Sequence, residues 1–291
     1  MASFGLYRLT DDGVLNPAFN QGAPLGLANH PDATNAGPTG IARRAGRVFL
    51  VGPAATAEGE RLMLHSTPTS STGIQLGLLA ALIDISDFFA LGGADMRKAG
   101  NPVLTSDRFG HLVMATGANL GAGSRASLLR IDPGAGVDRS FGGLSHDWNA
   151  TDVVVSDLAR DASGAFIVAG GVVESGQLRP ALARYDWRGR LDPGFGTGGI
   201  AKPSGLDRAS FSSVAIDRLG RLVATGESKR TTSTEALVVR YSAAGQADPT
   251  FGTDGAVFHP AGTAQAIGLT SNDSIVLGGV RVQSGDAPDL G

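Results

Sequence analysis

The chain has 291 residues, of which 43 are glycine and none is cysteine, and its formal net charge is −3. The absence of cysteine excludes disulfides, thiolate metal ligands and cysteine nucleophiles. A weakly acidic chain offers no basic face that could displace the counterions of a nucleic acid, so we expect no nucleic-acid partner. Abundant glycine among valine, isoleucine, leucine and phenylalanine is typical of many short strands joined by tight turns.

The sequence predicts neither a secretory signal nor a membrane span. Residues 1–10 lack a basic region followed by an apolar stretch. The longest apolar run, residues 76–89, is interrupted by Asp84 and Asp87 and is too short to cross a bilayer. We therefore expect a cytoplasmic protein, with export that needs no N-terminal signal as the alternative.

One motif occurs four times, with an arginine, an Asp or Asn eight positions later and a phenylalanine three positions after that. The clearest copy reads ALARYDWRGRLDPGFGTGGI from Ala181. The four sets are Arg8, Asn16 and Phe19; Arg130, Asp138 and Phe141; Arg184, Asp192 and Phe195; and Arg240, Asp248 and Phe251. Fixed offsets with changing residues between them indicate a repeated structural unit.

A second motif alternates with the first and consists of a strand pair around a Gly or Asp turn. Its turns fall at Gly46, Gly110, Gly164, Gly220 and Asp273. Apolar residues alternate before each turn and run together after it, which predicts an inner strand followed by a strand that is buried on both faces. In the D-x-x-G form we expect the Asp side chain to bond the local backbone and the Gly to take a positive φ.

Together the two motifs predict units of four antiparallel strands. In the unit that contains the Gly220 turn these are Ser213–Asp217, Arg221–Glu227, Ala236–Ser242 and Gly255–Pro260. Such a unit cannot bury both of its faces alone, and radial stacking of several units solves this problem. The first motif copy supplies only the last two strands of a unit, and the final copy supplies only the first two. We therefore predict an all-β fold, a five-bladed β-propeller in one domain over residues 1–291. Pairing of Phe4–Thr10 with Ser274–Val280 would close its ring.

The second unit departs from the repeat through an insertion at about residues 53–76. About fifteen extra residues separate Gly52 from a third strand that we place at Gly77–Asp84. Insertions in repeat proteins map to loops on one face and often carry function. We interpret residues 53–75 as a candidate binding loop, with a longer hairpin in a diverged unit as the alternative.

The frame R-Y-x-x-x-G-x-L-D-x-x-F-G-x-x-G, followed by strand, D-x-x-G turn and strand, resembles the bacterial delta-60 repeat. The resemblance extends over nearly the whole chain, is clearest in the units that contain Gly164 and Gly220 and is weakest in the unit that contains Gly46. It implies propeller-forming modules, often within long surface or secreted proteins, and no common catalytic activity. It supports the fold and leaves the function open.

The repeated charged residues are interpreted as structural. An Arg–Asp pair that recurs in register ties a strand to a turn, and we expect at least three pairs within hydrogen-bond reach. Asp107, Asp161 and Asp217 are interpreted as turn-forming residues, with the acidic groups of a glycosidase as the alternative. No residue is assigned as catalytic.

Polar residues outside the repeats lie on the connections from an outer strand to the next inner strand. These connections share one rim with the loops between second and third strands, and the rim converges on the axis. The candidate ligand-binding residues are His30, Arg97, His146, Asp147, Trp148, Lys202, Asp207 and His259. Three of these are histidines, but their spacing carries no metal-site signature, so we assign no metal and no other cofactor.

Our leading hypothesis is a non-enzymatic recognition or scaffold module that binds a glycan or a protein through the axial rim and the 53–75 insertion. The alternative is a hydrolase or lactonase-type enzyme with a rim site of histidines and carboxylates, with or without a metal. The adjacent residues Ser145, His146 and Asp147 cannot converge as a catalytic triad. No nucleophile elbow, phosphate loop or H-E-x-x-H motif occurs in the sequence.

Overall fold

The computed structural model describes most of the second half of the chain and parts of the first. The described residues are 4–6, 25–27, 35–36, 39–44, 47–56, 59–68, 81–83, 101–119, 123–132, 136–138, 140–142, 146–230, 233–260 and 262–281. All regular elements within these ranges are β-strands, and the strand ladders are antiparallel. None of these residues forms a helix that is long and apolar enough to cross a membrane.

Three consecutive four-stranded sheets form the best-defined part of the fold. They are β8 (Val103–Ser106), β9 (Leu112–Asn119), β10 (Ser124–Asp132) and β11 (Gly136–Val137); β12 (Asp152–Arg160), β13 (Phe166–Glu174), β14 (Gln177–Tyr185) and β15 (Ile200–Ala201); and β16 (Ala209–Ile216), β17 (Leu222–Lys229), β18 (Thr234–Tyr241) and β19 (Ala256–His259). In each sheet the spatial order of the strands is their order in the chain. The predicted four-stranded antiparallel unit is therefore confirmed.

A further sheet precedes these three. It contains β3 (Asn35–Ala36), β4 (Gly40–Arg44), β5 (Arg47–Thr56), β6 (Gly59–Pro68) and β7 (Ala81–Ile83). Both β3 and β4 pair with β5, so together they take the place of a first strand.

The strand assignment in this second unit was wrong. We placed the third strand at Gly77–Asp84, but the third strand is β6, and β7 within the predicted range is the fourth. The first part of the 53–75 insertion is therefore a strand hairpin and not a loop. Only residues 57 and 58 separate β5 from β6, so this pairing satisfies the backbone of β5 at a small loop-closure cost. Residues 69–76 of the insertion lie outside the described residues.

Two strand pairs remain, β1 (Phe4–Leu6) with β2 (Leu25–Leu27), and β20 (Gly262–Leu269) with β21 (Ile275–Arg281). Within the described residues the ladder partner of β1 is β2 and that of β21 is β20. The predicted pairing of β1 with β21 is absent from these ladders. The number of five blades and the closure of the ring are therefore not confirmed.

The sheets are arranged as the blades of a β-propeller. The first strand of each sheet contacts the first strand of the next, from β4 through β8, β12 and β16 to β20. This arrangement brings the first strands together on the inside of the fold. The hydrophobic core consists of layers between successive blades, each of which contains residues from two neighbouring sheets.

The D-x-x-G turns have the predicted chemistry. In the turn between β12 and β13, the Asp161 carboxylate accepts hydrogen bonds from the amides of Ser163 and Ala165 at 2.8 and 2.9 Å. Gly164 adopts a φ of 91° and donates its amide to the Asp161 carbonyl at 3.1 Å. The carboxylates of Asp107 and Asp217 bond the backbone of their own turns in the same way.

Two of the three described Arg–Asp pairs are hydrogen bonded. Arg130 Nε donates to Asp138 at 2.9 Å, and Arg240 Nε donates to Asp248 at 2.8 Å. Hydrogen bonds from the Ser140 hydroxyl and from Arg130 lower the pKa of Asp138 to about 2. The stabilisation from this carboxylate is therefore present above its ordinary pKa of 3.8 and is lost as the pH falls towards 2.

The third pair differs, and because the fourth pair lies outside the described residues, the expectation of at least three hydrogen-bonded pairs stays a prediction. Arg184 Nε lies 3.6 Å from Asp192, while Arg184 Nη2 donates to Asp161 at 2.8 Å. Arg184 lies within reach of two carboxylates and makes its hydrogen bond to the one in the D-x-x-G turn. In the next blade the corresponding Asp217 is bound by Arg221. The pair Arg8/Asn16 lies outside the described residues.

The F-G dipeptide of the first motif joins one blade to the next. Phe141 is buried, and the amide of Gly142 donates to the Arg188 carbonyl of the next blade at 2.7 Å. Phe195 is buried in the same way, and Gly196 donates to the Ala244 carbonyl at 2.8 Å. A Cβ on Gly189 would lie 2.6 Å from Phe141, and one on Gly245 would lie 2.8 Å from Phe195. We use the term blade lock for this pair of contacts, in which the phenylalanine ring packs against the glycine turn of the next blade and the following glycine amide bonds the carbonyl in that turn.

We predict that Gly189→Ala is much more destabilising than Gly198→Ala. Both glycines adopt left-handed φ values of 78° and 61°, but a Cβ on Gly198 meets no atom within 4 Å. The left-handed backbone alone costs about 1 kcal/mol for alanine, and displacement of the Phe141 ring adds about 1–3 kcal/mol. Urea unfolding of the two variants measures the difference. Equal losses of unfolding free energy would show that the lock contributes nothing beyond backbone strain.

Candidate functional site

The candidate site lies on the rim formed by two connections and one hairpin turn. In an up-and-down antiparallel sheet, the turn between second and third strands lies at the same end as the connection to the next sheet. In the described structure, connections 146–151 and 202–208 meet residues 174–179 around the turn between β13 and β14. We call these three segments the rim site.

Four charged side chains of the rim site form one connected network. Lys202 Nζ bonds Glu174 Oε1 and lies 3.4 Å from the Trp148 carbonyl oxygen. Arg179 Nη2 contacts Asp207 Oδ1 at 2.9 Å, and Arg179 Nε lies 3.7 Å from Glu174. The network therefore links the two connections through residues of the hairpin turn.

The structure brings the predicted residues Lys202 and Asp207 together through two residues that the sequence analysis missed. Glu174 and Arg179 flank the β13–β14 turn, which the sequence already placed at this end of the blade. Charged residues that flank such a turn, outside the repeated Arg–Asp frame, were the signal that could have identified them.

The backbone of the rim site contains several residues in the left-handed region. They are Trp148 with φ 51°, Asn149 with φ 55°, Ser175 with φ 51° and Arg208 with φ 58°. Non-glycine residues in this region store strain on the order of 1 kcal/mol or more, and such strain is concentrated at functional sites. Two further left-handed residues, Asp254 and Asp273, occupy turn positions where other repeats carry glycine. Ser175 and Gly176, with φ values of 51° and 75°, form the two-residue β13–β14 turn, in which a positive φ at both positions is ordinary. The strain argument therefore rests on Trp148, Asn149 and Arg208.

Trp148 lies beneath the rim and not on its surface. The side chain is 1% exposed, and its Nε1 donates to the Tyr185 hydroxyl at 2.8 Å. This hydrogen bond satisfies the polar atoms of both rings within the layer between two blades. The side chain predicted to bind a ligand is therefore a core residue, and Trp148 presents only its carbonyl oxygen to the rim network.

His146 occupies the edge of the same core. Its ring centroid lies 5.4 Å from that of Tyr185, and its Nε2 atom is buried without a hydrogen-bond partner among the described residues. Burial lowers the pKa of His146 below its ordinary 6.5, while the neighbouring Asp147 opposes this shift. Burial also raises the pKa of Tyr185, so this hydroxyl stays neutral. His146 is therefore a neutral ring in the folded protein near pH 7.

The remaining predicted residues do not join the network. Asp147 is exposed and accepts the Asn149 amide at 2.9 Å within its own turn. His259 is exposed at the end of β19, with Nδ1 3.2 Å from the carbonyl oxygen of the adjacent proline. His30 and Arg97 lie outside the described residues. No group of three potential metal ligands occurs in the described part of the chain.

We predict that His146→Gln flattens the pH dependence of stability between pH 7.5 and 5.5. The pKa of His146 is lowered in the folded state, so below about pH 6.5 the unfolded chain binds a proton that the folded chain does not. The wild type should lose stability through this window, and the variant should lose less. Thermal unfolding at a series of pH values measures the slope, and His259→Gln serves as a control for an exposed histidine. Parallel slopes for the wild type and His146→Gln would contradict the prediction.

Comparisons with known proteins agree with this fold. Residues 220–251 match the sequence model of a family described as "Domain of unknown function (DUF5122) beta-propeller". No curated protein sequence matches the chain. Among solved structures, a protein of unknown function from Dyadobacter fermentans is 14% identical with a TM-score of 0.53, and the match covers 86% of this chain and 76% of that one.

Two further solved structures are more distant neighbours. An endo-arabinase from Bacteroides thetaiotaomicron is 12% identical with a TM-score of 0.45, over 89% of this chain and 93% of that chain. A GH43 protein from Bacillus licheniformis is 11% identical with a TM-score of 0.43, over 86% and 56%. Likeness at these identities concerns the fold alone. The chain has a β-propeller fold, and the family match over residues 220–251 confirms the predicted resemblance to the bacterial delta-60 type of repeat.

Proposed function

We propose that the chain is a non-enzymatic recognition or scaffold module that binds a glycan or a protein through the rim site. The observation that carries this proposal is the ion-pair network of Lys202, Glu174, Arg179 and Asp207 across three segments. A network of this kind fixes donors and acceptors before a partner arrives, which reduces the ordering cost of binding.

The same network weighs against the hydrolase or lactonase alternative. A glycosidase needs a pair of carboxyl groups, one of which stays protonated as the general acid. Glu174 is bound by Lys202 and Asp207 by Arg179, so both carboxylates of the network are held in ion pairs and neither is free to act on a substrate. The ion pairs therefore favour a binding site over an acid–base catalytic site.

The β5–β6 hairpin extends the proposed binding surface. Its tip joins second and third strands, as the β13–β14 turn does, and so lies at the same end of its blade. We propose that the strand residues nearest this tip, 53–56 and 59–62, contribute to the rim as a hairpin, whereas residues 63–68 run towards the opposite end, where Pro68 pairs with Arg47. Residues 69–75 of the predicted insertion follow the third strand of this blade, and we assign them no role.

We predict that Lys202→Ala weakens binding to the partner by about tenfold, because each charge-assisted hydrogen bond contributes about 1.5–3 kcal/mol. A glycan array with the labelled full chain identifies the ligand, and titration of that ligand gives the affinities. The matched control is Arg190→Ala, which removes an exposed ion pair with Asp186 from the opposite rim. Equal binding by Lys202→Ala would reject the rim site. Turnover of chromogenic glycosides or lactones, tested with and without a chelator, would favour the enzyme.

We also propose that β1–β2 and β20–β21 are the halves of a fifth blade in a single domain. The β1–β2 pair has the register of a third and fourth strand, because Leu6 pairs with Leu25 as Val238 pairs with Val257. The β20–β21 pair has the register of a first and second strand. Its bulge between Ala264 and Ala266 corresponds to the bulge between Phe211 and Ser213 in β16.

The exposure of β21 supports this assignment. Val276 and Leu277 are 56% and 41% exposed, whereas the corresponding Val223 and Ala224 of β17 are 2% and 0% exposed. β17 is an inner strand of a sheet that continues into β18 and β19, whereas β21 is paired only with β20 among the described residues. An apolar edge strand without such cover invites further pairing. Addition of β1 in the register of β18 would place Phe4 opposite Val280.

We predict that the double variant Phe4→Cys/Val280→Cys forms an intramolecular disulfide. The natural chain contains no cysteine, so the engineered pair is the only source of a bridge. Facing residues on paired strands have Cβ atoms about 4.5–5.5 Å apart, close to disulfide distance. Non-reducing electrophoresis and thiol titration detect the bridge, and Phe4→Cys/Ile275→Cys is the out-of-register control. Free thiols in both variants would contradict closure, and bridged dimers would indicate that β1 pairs with a second chain.

A further inference from the structure

A cluster of aromatic and arginine side chains lies at the end of the blades opposite to the rim site. It comprises Arg108 and Phe109 in the β8–β9 turn, and Trp187 and Arg188 in the segment between β14 and β15, and we call it the turn patch. The Phe109 ring is 58% exposed, and its centroid lies 6.2 Å from that of Trp187 in an edge-to-face arrangement. Arg108 stacks over both rings at 4.8 and 5.0 Å, and Arg188 stacks over Trp187 at 4.5 Å.

The turn patch is a departure from the repeat. In the corresponding positions two blades later, Arg218 Nε contacts Asp273 at 3.1 Å, and the position of Trp187 in the next blade is taken by Ala243. The Arg108 side chain instead lies against Gly164, and its Cδ is 3.3 Å from the position that a Cβ on Gly164 would occupy. Arg108 has a counterpart in Arg218, but the positions of Phe109, Trp187 and Arg188 are taken by Leu219, Ala243 and Ala244 in the blade of Arg218. The aromatic stacking of the patch is therefore not part of the repeated blade assembly.

The two guanidinium groups of the patch have no carboxylate partner within the described part of the chain. Other arginines of these turns do, such as Arg190 with Asp186 at 2.7 Å and Arg221 with Asp217 at 2.6 Å. A guanidinium that stacks on a ring uses its face for that contact and keeps the N–H groups in its plane free. The turn patch thus presents two ordered cations beside an exposed apolar ring.

We propose that the turn patch binds an anionic polysaccharide that carries carboxylate or sulfate groups. The planar forks of Arg108 and Arg188 match oxyanions, which they can bind through two parallel hydrogen bonds. The exposed face of Phe109 fits the C–H face of a sugar ring, which an extended acidic peptide does not offer. This site lies at the opposite end of the blades from the rim site and is independent of it.

The test uses the intrinsic fluorescence of the full chain, which contains only two tryptophans. Trp148 is 1% exposed, so a ligand that reaches the turn patch affects Trp187 alone. The probes are polygalacturonate for carboxylates and dextran sulfate for sulfates, with neutral dextran and polyglutamate as controls. We expect a saturable change with one or both anionic polysaccharides, no change in Trp187→Phe, and weaker binding at 500 mM than at 50 mM NaCl.

Calorimetry with matched variants locates the site. We expect Arg108→Ala to weaken binding about tenfold or more, since it removes charge-assisted hydrogen bonds. Arg108→Lys keeps the charge but loses the fork and should give an intermediate loss. Arg218→Ala, the corresponding arginine already paired with Asp273, should change the affinity by less than about twofold. Thermal unfolding confirms that each variant is folded.

Several outcomes would overturn the proposal. They are the absence of saturable binding to either anionic polysaccharide, equal binding of neutral dextran, equal or tighter binding of polyglutamate, and equal losses in Arg108→Ala and Arg218→Ala. Lys202→Ala should bind the polyanion with the same affinity as the wild type. The proposed function of the rim site and the proposed function of the turn patch can therefore be rejected independently.

Discussion

The fold depends on the contact between the F-G dipeptide of one blade and the turn of the next. Phe141 packs against Gly189, and Gly142 donates its amide to the Arg188 carbonyl beside it. A four-stranded sheet cannot bury both faces alone, so each blade obtains much of its core from its neighbour. The repeated motif contains both partners of this contact, the F-G dipeptide and the glycine turn, and this explains why the two recur together.

The repeated polar residues make structural contacts within and between the blades, so few of them are available to bind a partner. The Asp residues of the D-x-x-G turns bind backbone amides, and the strand arginines bind Asp side chains of the turns. The positions that differ between blades are those at the two ends of the sheets. One end carries the ion-pair network of the rim site, and the other carries the stacked rings and arginines of the turn patch.

Arginine serves three physical roles in this chain, which depend on what lies within its reach. Arg240 has one carboxylate available and ties a strand to a turn, whereas Arg184 lies near two and bonds the one in the D-x-x-G turn. Arg108 has no carboxylate partner among the described residues and stacks on aromatic rings. Arginine residues therefore act as structural ties in some blades and as candidate binding groups in another.

The repeat, its D-x-x-G turns and the four-stranded blades within residues 103–137, 152–201 and 209–259 follow from the sequence alone, because alternation of apolar residues and turn chemistry are local properties of the chain. The remaining features depend on tertiary contacts. The third strand of the second unit is Gly59–Pro68, since a strand takes the partner that best completes its ladder and not the one that preserves a motif. Trp148 is buried because it meets Tyr185, and Lys202 reaches Asp207 only through Glu174 and Arg179. Such contacts join residues from separate strands and connections, and no pattern along the chain records them.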